Sequence, residues 1–136
     1  MGKLTIGTCV HDDFEGLYFT LQSIRLHHKD VLDRLEFVVI NNNPKSPEGQ
    51  EIRKLMDWIK QPLTYVPIVS FPTLIITKII FGLANTEYVL VMDCHVLLET
   101  NSLAKLLDFY DAGKDKGNLL QGPLVYDDIE GISTHF

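Results

Sequence analysis

The sequence predicts an α/β fold, a mostly parallel sheet with helices on both faces, formed as a single domain over residues 1–136. Three observations carry that expectation. Strand-type and helix-type apolar patterns alternate four times along the chain, and such alternation builds parallel sheets through crossover helices. The run Tyr88 to Met92 is apolar throughout, as a strand covered on both faces must be. Polar clusters follow directly on the ends of the strand-like runs, where open α/β sheets place their ligands.

Each element has its own signal. Leu4 to Val10 is short and β-rich and ends in His11-Asp12-Asp13, which reads as a strand and then a loop. Phe14, Leu17, Leu21 and Ile24 recur at helical spacing, with Asp12 or Asp13 able to cap that helix. The helix fades near His27 and His28, which read as helix-end residues, well placed against the dipole if charged. Leu35 to Ile40 is the second strand, stopped by Asn41-Asn42-Asn43-Pro44. A helix from about Glu48 to Lys60 puts Ile52, Leu55, Met56 and Ile59 on one face, and Pro62 ends it. A weaker third strand spans Thr64 to Val69, followed by a third helix from Leu74 to Leu83. After the strand Tyr88 to Met92 comes a helix from about Asn101. Leu103, Leu106, Leu107 and Tyr110 form its core face, and Gly113 stops it. Leu119 to Val125 reads as a last strand, and the tail from Tyr126 shows no period.

Composition narrows the function. A length of 136 residues suits one domain with a real core. A net charge of −6 argues against nucleic acid as partner. An acidic protein can still hold a diphosphate if a divalent cation offsets the repulsion. Cys9 and Cys94 have no metal-binding or disulfide spacing and read as small buried hydrophobes. With no disulfide framework and no signal-peptide pattern after Met1, the expected location is a reducing cytoplasm. The apolar stretch from Leu63 to Ala84 is broken by Pro67, Pro72 and Lys78, so a strand, a turn and a buried helix are expected there and no transmembrane segment.

Three polar clusters fall at strand ends, and each has a plain reading beside a functional one. Asp93 and His95, at i and i+2, point the same way if the chain stays extended. That pair suits Mn²⁺ or Mg²⁺ completed by phosphate oxygens, although a D-x-H triplet is also common in solvated loops. Asn41, Asn42 and Asn43 offer amides to a base edge, or simply make a turn with Pro44. Asp12 and Asp13 cap a helix, or Asp12 or His11 approaches a ribose or base. No G-x-G-x-x-G phosphate cradle is present. Lys78 either snorkels to the surface or neutralises a diphosphate. Asp127, Asp128 and Glu130 are either a solvated tail or a source of a general base. The length and alternating pattern also suit a phospho-receiver domain, but Val66 to Ser70 contains no acid for that chemistry.

Taken in order, these segments resemble the inverting family-2-type glycosyltransferases with the GT-A (nucleotide-diphospho-sugar transferase) fold. Leu4-Thr-Ile-Gly-Thr-Cys-Val-His-Asp-Asp, with Gly16-Leu-Tyr-Phe-Thr-Leu-Gln-Ser-Ile, is similar to the family's opening strand, loop and helix. Phe37-Val-Val-Ile-Asn-Asn-Asn resembles its base-binding second strand. Gly82-Leu-Ala-Asn-Thr-Glu-Tyr-Val-Leu-Val-Met-Asp-Cys-His resembles the run into its metal motif, and Leu103-Ala-Lys-Leu-Leu fits the helix that follows. The resemblance implies a nucleotide-diphosphate-sugar donor, a Mn²⁺ or Mg²⁺ ion on the diphosphate, and transfer of the sugar to an acceptor hydroxyl. By that match Thr8, Val10, Asp12, Asn41, Asn42, Lys78 and Asp93 would contact the nucleotide, and Asp93 and His95 would hold the metal. The sequence departs from the pattern in three ways. His95 replaces the usual final acid, as in the D-x-H motif of polypeptide N-acetylgalactosaminyltransferases. Asn stands where the base-contacting Asp is usual. The chain is short, a truncated fold without the acceptor half and its catalytic carboxylate, so no catalytic residue is assigned. Two functions follow as expectations: an enzyme completed by a base from elsewhere, or a catalytically incomplete module that binds a nucleotide sugar. A sheet edge exposed by a missing half would favour a homodimer.

Overall fold

The computed structural model describes residues 1–69 and 73–122, together with the short pairs 124–125 and 134–135. Strand β1 (Leu4–Val10) leads into helix α1 (Phe14–His27), a 3-10 helix at Lys29–Arg34, and β2 (Leu35–Asn41). Then come α2 (Pro47–Met56), β3 (Leu63–Pro67), α3 (Thr73–Leu83), β4 (Tyr88–Val91) and α4 (Ser102–Asp111). Four strands form one sheet in the order β3-β2-β1-β4, with every pairing parallel.

That order follows from the chirality of crossovers. The chain first steps outward from β1 to β2 to β3, then doubles back past β1 to β4. Right-handed connections place helices of opposite stepping direction on opposite faces. The core divides accordingly. Leu17, Leu21 and Ile24 of α1, Ile52, Leu55 and Met56 of α2, and Leu103 and Leu107 of α4 pack with Leu4, Ile6, Val10, Leu35, Phe37 and Val39 on one face. Ile76 and Ile80 of α3 pack with Val38 and Ile40 on the other. Gly7 lets α3 come close: a Cβ there would lie 2.1 Å from Ile80 Cγ2.

Arg34 is buried and closes the bottom of this frame. Its Nε donates to the Gly2 carbonyl at 2.8 Å, and its Nη2 donates to Asp111 at 2.7 Å, tying α4 to the N-terminus. The Asp111 carboxyl is held below its ordinary range, first by the Gly2 backbone N–H and then by Arg34.

Three details depart from the sequence reading. Helix α2 ends at Met56 rather than near Lys60, because the chain tightens there and Trp58 N bonds the Leu55 carbonyl. The expected last strand is confined to β5 (Leu124–Val125), which pairs antiparallel with β6 (Thr134–His135) in a separate two-stranded sheet. Leu119 and Leu120 are exposed and lie outside it. His28 is a buried residue with 1% of its surface exposed. Burial lowers its pKa against the opposing pull of Asp30, so its ring is held neutral rather than charged against the helix end. The apolar stretch from Leu63 is divided between β3 and α3, and no helix among the described residues is long and apolar enough to cross a membrane.

Candidate functional site

In a sheet ordered β3-β2-β1-β4, the order in which strands are added reverses between β1 and β4. Crevices at such switch points, beyond the carboxyl ends of the strands, are where open α/β sheets bind ligands. Here the crevice receives the loop after Val10 and the loop after Val91. Asp13 and His95 meet in it, with Asp13 Oδ2 2.8 Å from His95 Nδ1. Cys94 Sγ lies 3.5 Å from the same oxygen. These three residues bring one potential ligand atom each within 4.8 Å of one another.

Local structure explains the meeting. Asp13 is the N-cap of α1: its Oδ1 accepts from Gly16 N at 2.9 Å, while its carbonyl accepts from Leu17 N. Its carboxyl is pulled below its usual value, first by the His95 hydrogen bond. Beyond β4 the chain turns at Cys94 and His95 rather than running straight on. Cys94 is buried in the core cluster that also holds Leu103 and Leu107, Leu98 packs against the same cluster, and Thr20 of α1 donates to the Val96 carbonyl. That anchoring presents the His95 ring outward, with 63% of its side-chain surface exposed. The Cys94 thiol is pushed up to about 12, first by burial and then by the Asp13 carboxylate. It therefore stays a protonated thiol and a weak donor, as the small-hydrophobe reading expects.

The turn begins inside the D-x-H triplet, directly after Asp93. Asp93 is exposed, and its charge, after burial, raises the pKa of the Cys9 thiol. His95 instead leans on Asp13. The pairing of Asp13 with His95 was missed by sequence reasoning, since no local pattern links residues on loops so far apart.

The second polar cluster is knitted to the first. Asp12 adopts a left-handed backbone, φ 52°, and its carboxylate accepts from Asn43 Nδ2 at 2.8 Å and from Ser46 Oγ. Those two bonds hold its carboxyl below its ordinary value. Asn41 is fully buried; its amide donates to the Gly49 carbonyl and to Tyr65 Oη, and its Oδ1 accepts from Asn43 N. Asn42 is half-buried and donates its backbone N–H to the Val10 carbonyl at 2.8 Å. Thr8 and Val10 are buried along β1, and the Thr8 hydroxyl has no hydrogen-bond partner among the described residues. Lys78 is exposed on α3, across the sheet from α1 and α2. Asp127, Asp128 and Glu130 lie outside the described residues. The structure thus brings the ends of β1, β2 and β4 together through Asp12, Asp13, Asn43 and His95, and places Lys78 on another element.

No family model matches the sequence, and no curated protein matches it. Solved structures do match the fold. The mannosyltransferase PcManGT from Pyrobaculum calidifontis, in complex with GDP-Man and Mn²⁺, superposes with a TM-score of 0.68 at 17% identity, over 78% of this chain and 31% of its own. Residues 1–349 of TarS from S. aureus superpose with a TM-score of 0.66 at 17% identity, over 81% of this chain and 32% of that 1–349 chain. The TarS complex with UDP-GlcNAc gives 0.64 at 15% identity, over 81% and 31%. The chain spans about a third of the length of each of these structures. Its fold is the Rossmann-like α/β fold of the GT-A glycosyltransferases.

Proposed function

We propose that this domain binds a nucleoside-diphosphate sugar in the β1–β4 crevice and supplies the donor side of sugar transfer to an acceptor hydroxyl. The observation that carries this reading is the convergence of Asp13, Cys94 and His95 at the switch point of the sheet. The fold shared with structures that hold GDP-Man or UDP-GlcNAc supports it.

A divalent cation fits the residues present. With Cys94 held as a thiol, the exposed donors are a carboxylate and an imidazole. Such a hard-to-borderline set suits Mg²⁺ or Mn²⁺ rather than a thiophilic metal. Asp93 and His95 would hold the ion, which would act as a Lewis acid on the departing diphosphate. The protein's own residues do the rest. Asp12, bridged to Asn43 and Ser46, fixes the β1 and β2 loops as one wall of the crevice. Asn42 and the backbone around Val10 would meet the nucleoside, while Asn41 shapes the turn from behind. Lys78 would reach the diphosphate only from the opposite face. The general base is left to the acids Asp127, Asp128 and Glu130 or to a partner.

Calorimetric titration of UDP, GDP, CDP and dTDP, each with and without Mn²⁺, tests the reading. One nucleotide should bind in a metal-dependent way, and His95→Ala should abolish that dependence. Absence of binding by all four, with metal and without, would overturn the donor site. Binding without turnover of the cognate nucleotide sugar would mark a binding module rather than an enzyme.

A further inference from the structure

We infer that Asp13 is a positioning residue that sets the tautomer of His95, so that Nε2 is the ring atom offered to a cation. The cation half of this inference rests on the proposed metal site; the tautomer half does not.

An ionised carboxylate only accepts hydrogen bonds. With Asp13 Oδ2 2.8 Å from His95 Nδ1, the proton of a neutral ring must sit on Nδ1, and the lone pair on Nε2. Which ring nitrogen binds a metal is set by the bond the other one makes. His95 is well exposed, so without Asp13 its ring would be free to rotate and to exchange tautomers. Asp13 itself is not free to move. Its other oxygen and its carbonyl are both bonded to the first turn of α1. The helix thus fixes the carboxylate, and the carboxylate fixes the ring. Both oxygens of Asp13 are engaged within the protein, which suits a supporting role behind the ligand rather than coordination itself. The same arrangement joins the two loops of the crevice, since Asp13 follows β1 and His95 follows β4.

The test separates capping from positioning. Asp13→Ser keeps a competent N-cap, but its shorter side chain does not reach the imidazole. Long-range proton–nitrogen correlation spectra of metal-free, ¹⁵N-histidine-labelled protein report the tautomer directly. Titration with Mn²⁺ alone reports affinity for wild type, Asp13→Ser and His95→Ala. The expected result is an Nδ1–H ring in the wild type and a mixed ring in Asp13→Ser. Mn²⁺ affinity should be about 10-fold weaker or more in that variant, the usual cost of losing such support, with helix content unchanged. An Nε2–H ring at His95 in the wild type would overturn the inference whatever the metal does. An Nδ1–H ring combined with equal Mn²⁺ affinity in all three proteins would overturn the metal reading and leave the tautomer assignment standing. Loss of Mn²⁺ in His95→Ala but not in Asp13→Ser would overturn the positioning role alone.

Discussion

Gly49→Ala offers a sharp test of how the second loop is built. Gly49 lies in the first turn of α2, where its N–H donates to the N-cap Ser46 and its carbonyl accepts from the buried Asn41 amide. A Cβ at this position would stand 2.0 Å from the Asn43 carbonyl oxygen and 3.0 Å from the Cα of Pro44. The obstacle is backbone, and it is held in place. Asn43 is bonded through its N–H to Asn41 and through its side chain to Asp12. Overpacking costs about 1–3 kcal/mol, and a backbone obstacle belongs at the upper end. The gain in helix propensity from Gly to Ala returns up to about 1 kcal/mol. The expected net loss is about 2 kcal/mol, which for a urea m-value of about 2 kcal/mol/M lowers the midpoint by about 1 M. Gly82→Ala in α3 is the control: its Cβ would meet nothing within 4 Å, so the midpoint should hold or rise. Urea unfolding followed by far-UV circular dichroism reads both. A Gly49→Ala midpoint equal to or above that of the wild type would refute the reasoning, because the loop would then have yielded freely.

Two further outcomes are expected. Gly7→Ala should cost about 2 kcal/mol by overpacking, since its Cβ would run into Ile80. Much of that loss should vanish in an Ile80→Ala background, read as a coupling energy of about 1 kcal/mol or more in a double-mutant cycle; simple additivity would contradict the contact. His28 should make stability depend on pH. Its folded-state pKa is lowered below 6.5 by burial, with Asp30 opposing and His27 reinforcing. The unfolded chain therefore binds more protons between the two values, so this contribution is fully present above pH 6.5 and is lost as pH falls through the folded value. His28→Gln should flatten the fall in urea midpoint on the acid side of pH 6.5; an unchanged slope would show that the ring is not held neutral.

The sheet was legible from the chain because its signals are periodic and local. Leu4 to Val10, Leu35 to Ile40 and Tyr88 to Met92 announce themselves by composition, and their parallel arrangement follows from the helices between them. The three polar clusters were legible as strand ends. Their internal wiring was not. Asp93 and His95 share a direction only along an extended chain, and the turn at Cys94 removes that condition. Asn41 continues the parity of Phe37 and Val39, which face α1 and α2, so its burial could have been read from the strand period. The burial of His28 could not, since nothing near His27-His28 distinguishes a buried ring from a solvated one. The contact of Asp13 with His95 depends on β4 lying beside β1, which is a property of strand order rather than of either segment.

That strand order also fixes when the crevice can exist. Leu4 pairs with Leu35 on one side and with Tyr88 on the other. Closing the longer loop carries about 1 kcal/mol more chain entropy than closing the shorter one, so pairing β1 with β4 alone costs more than pairing β1 with β2 alone. A half-built sheet of β1, β2 and β3 already contains the residues that join Asp12 to Asn43. It has no His95 beside Asp13. A cation at the proposed site would therefore need the completed sheet, and a ligand bound there would hold β4 against β1.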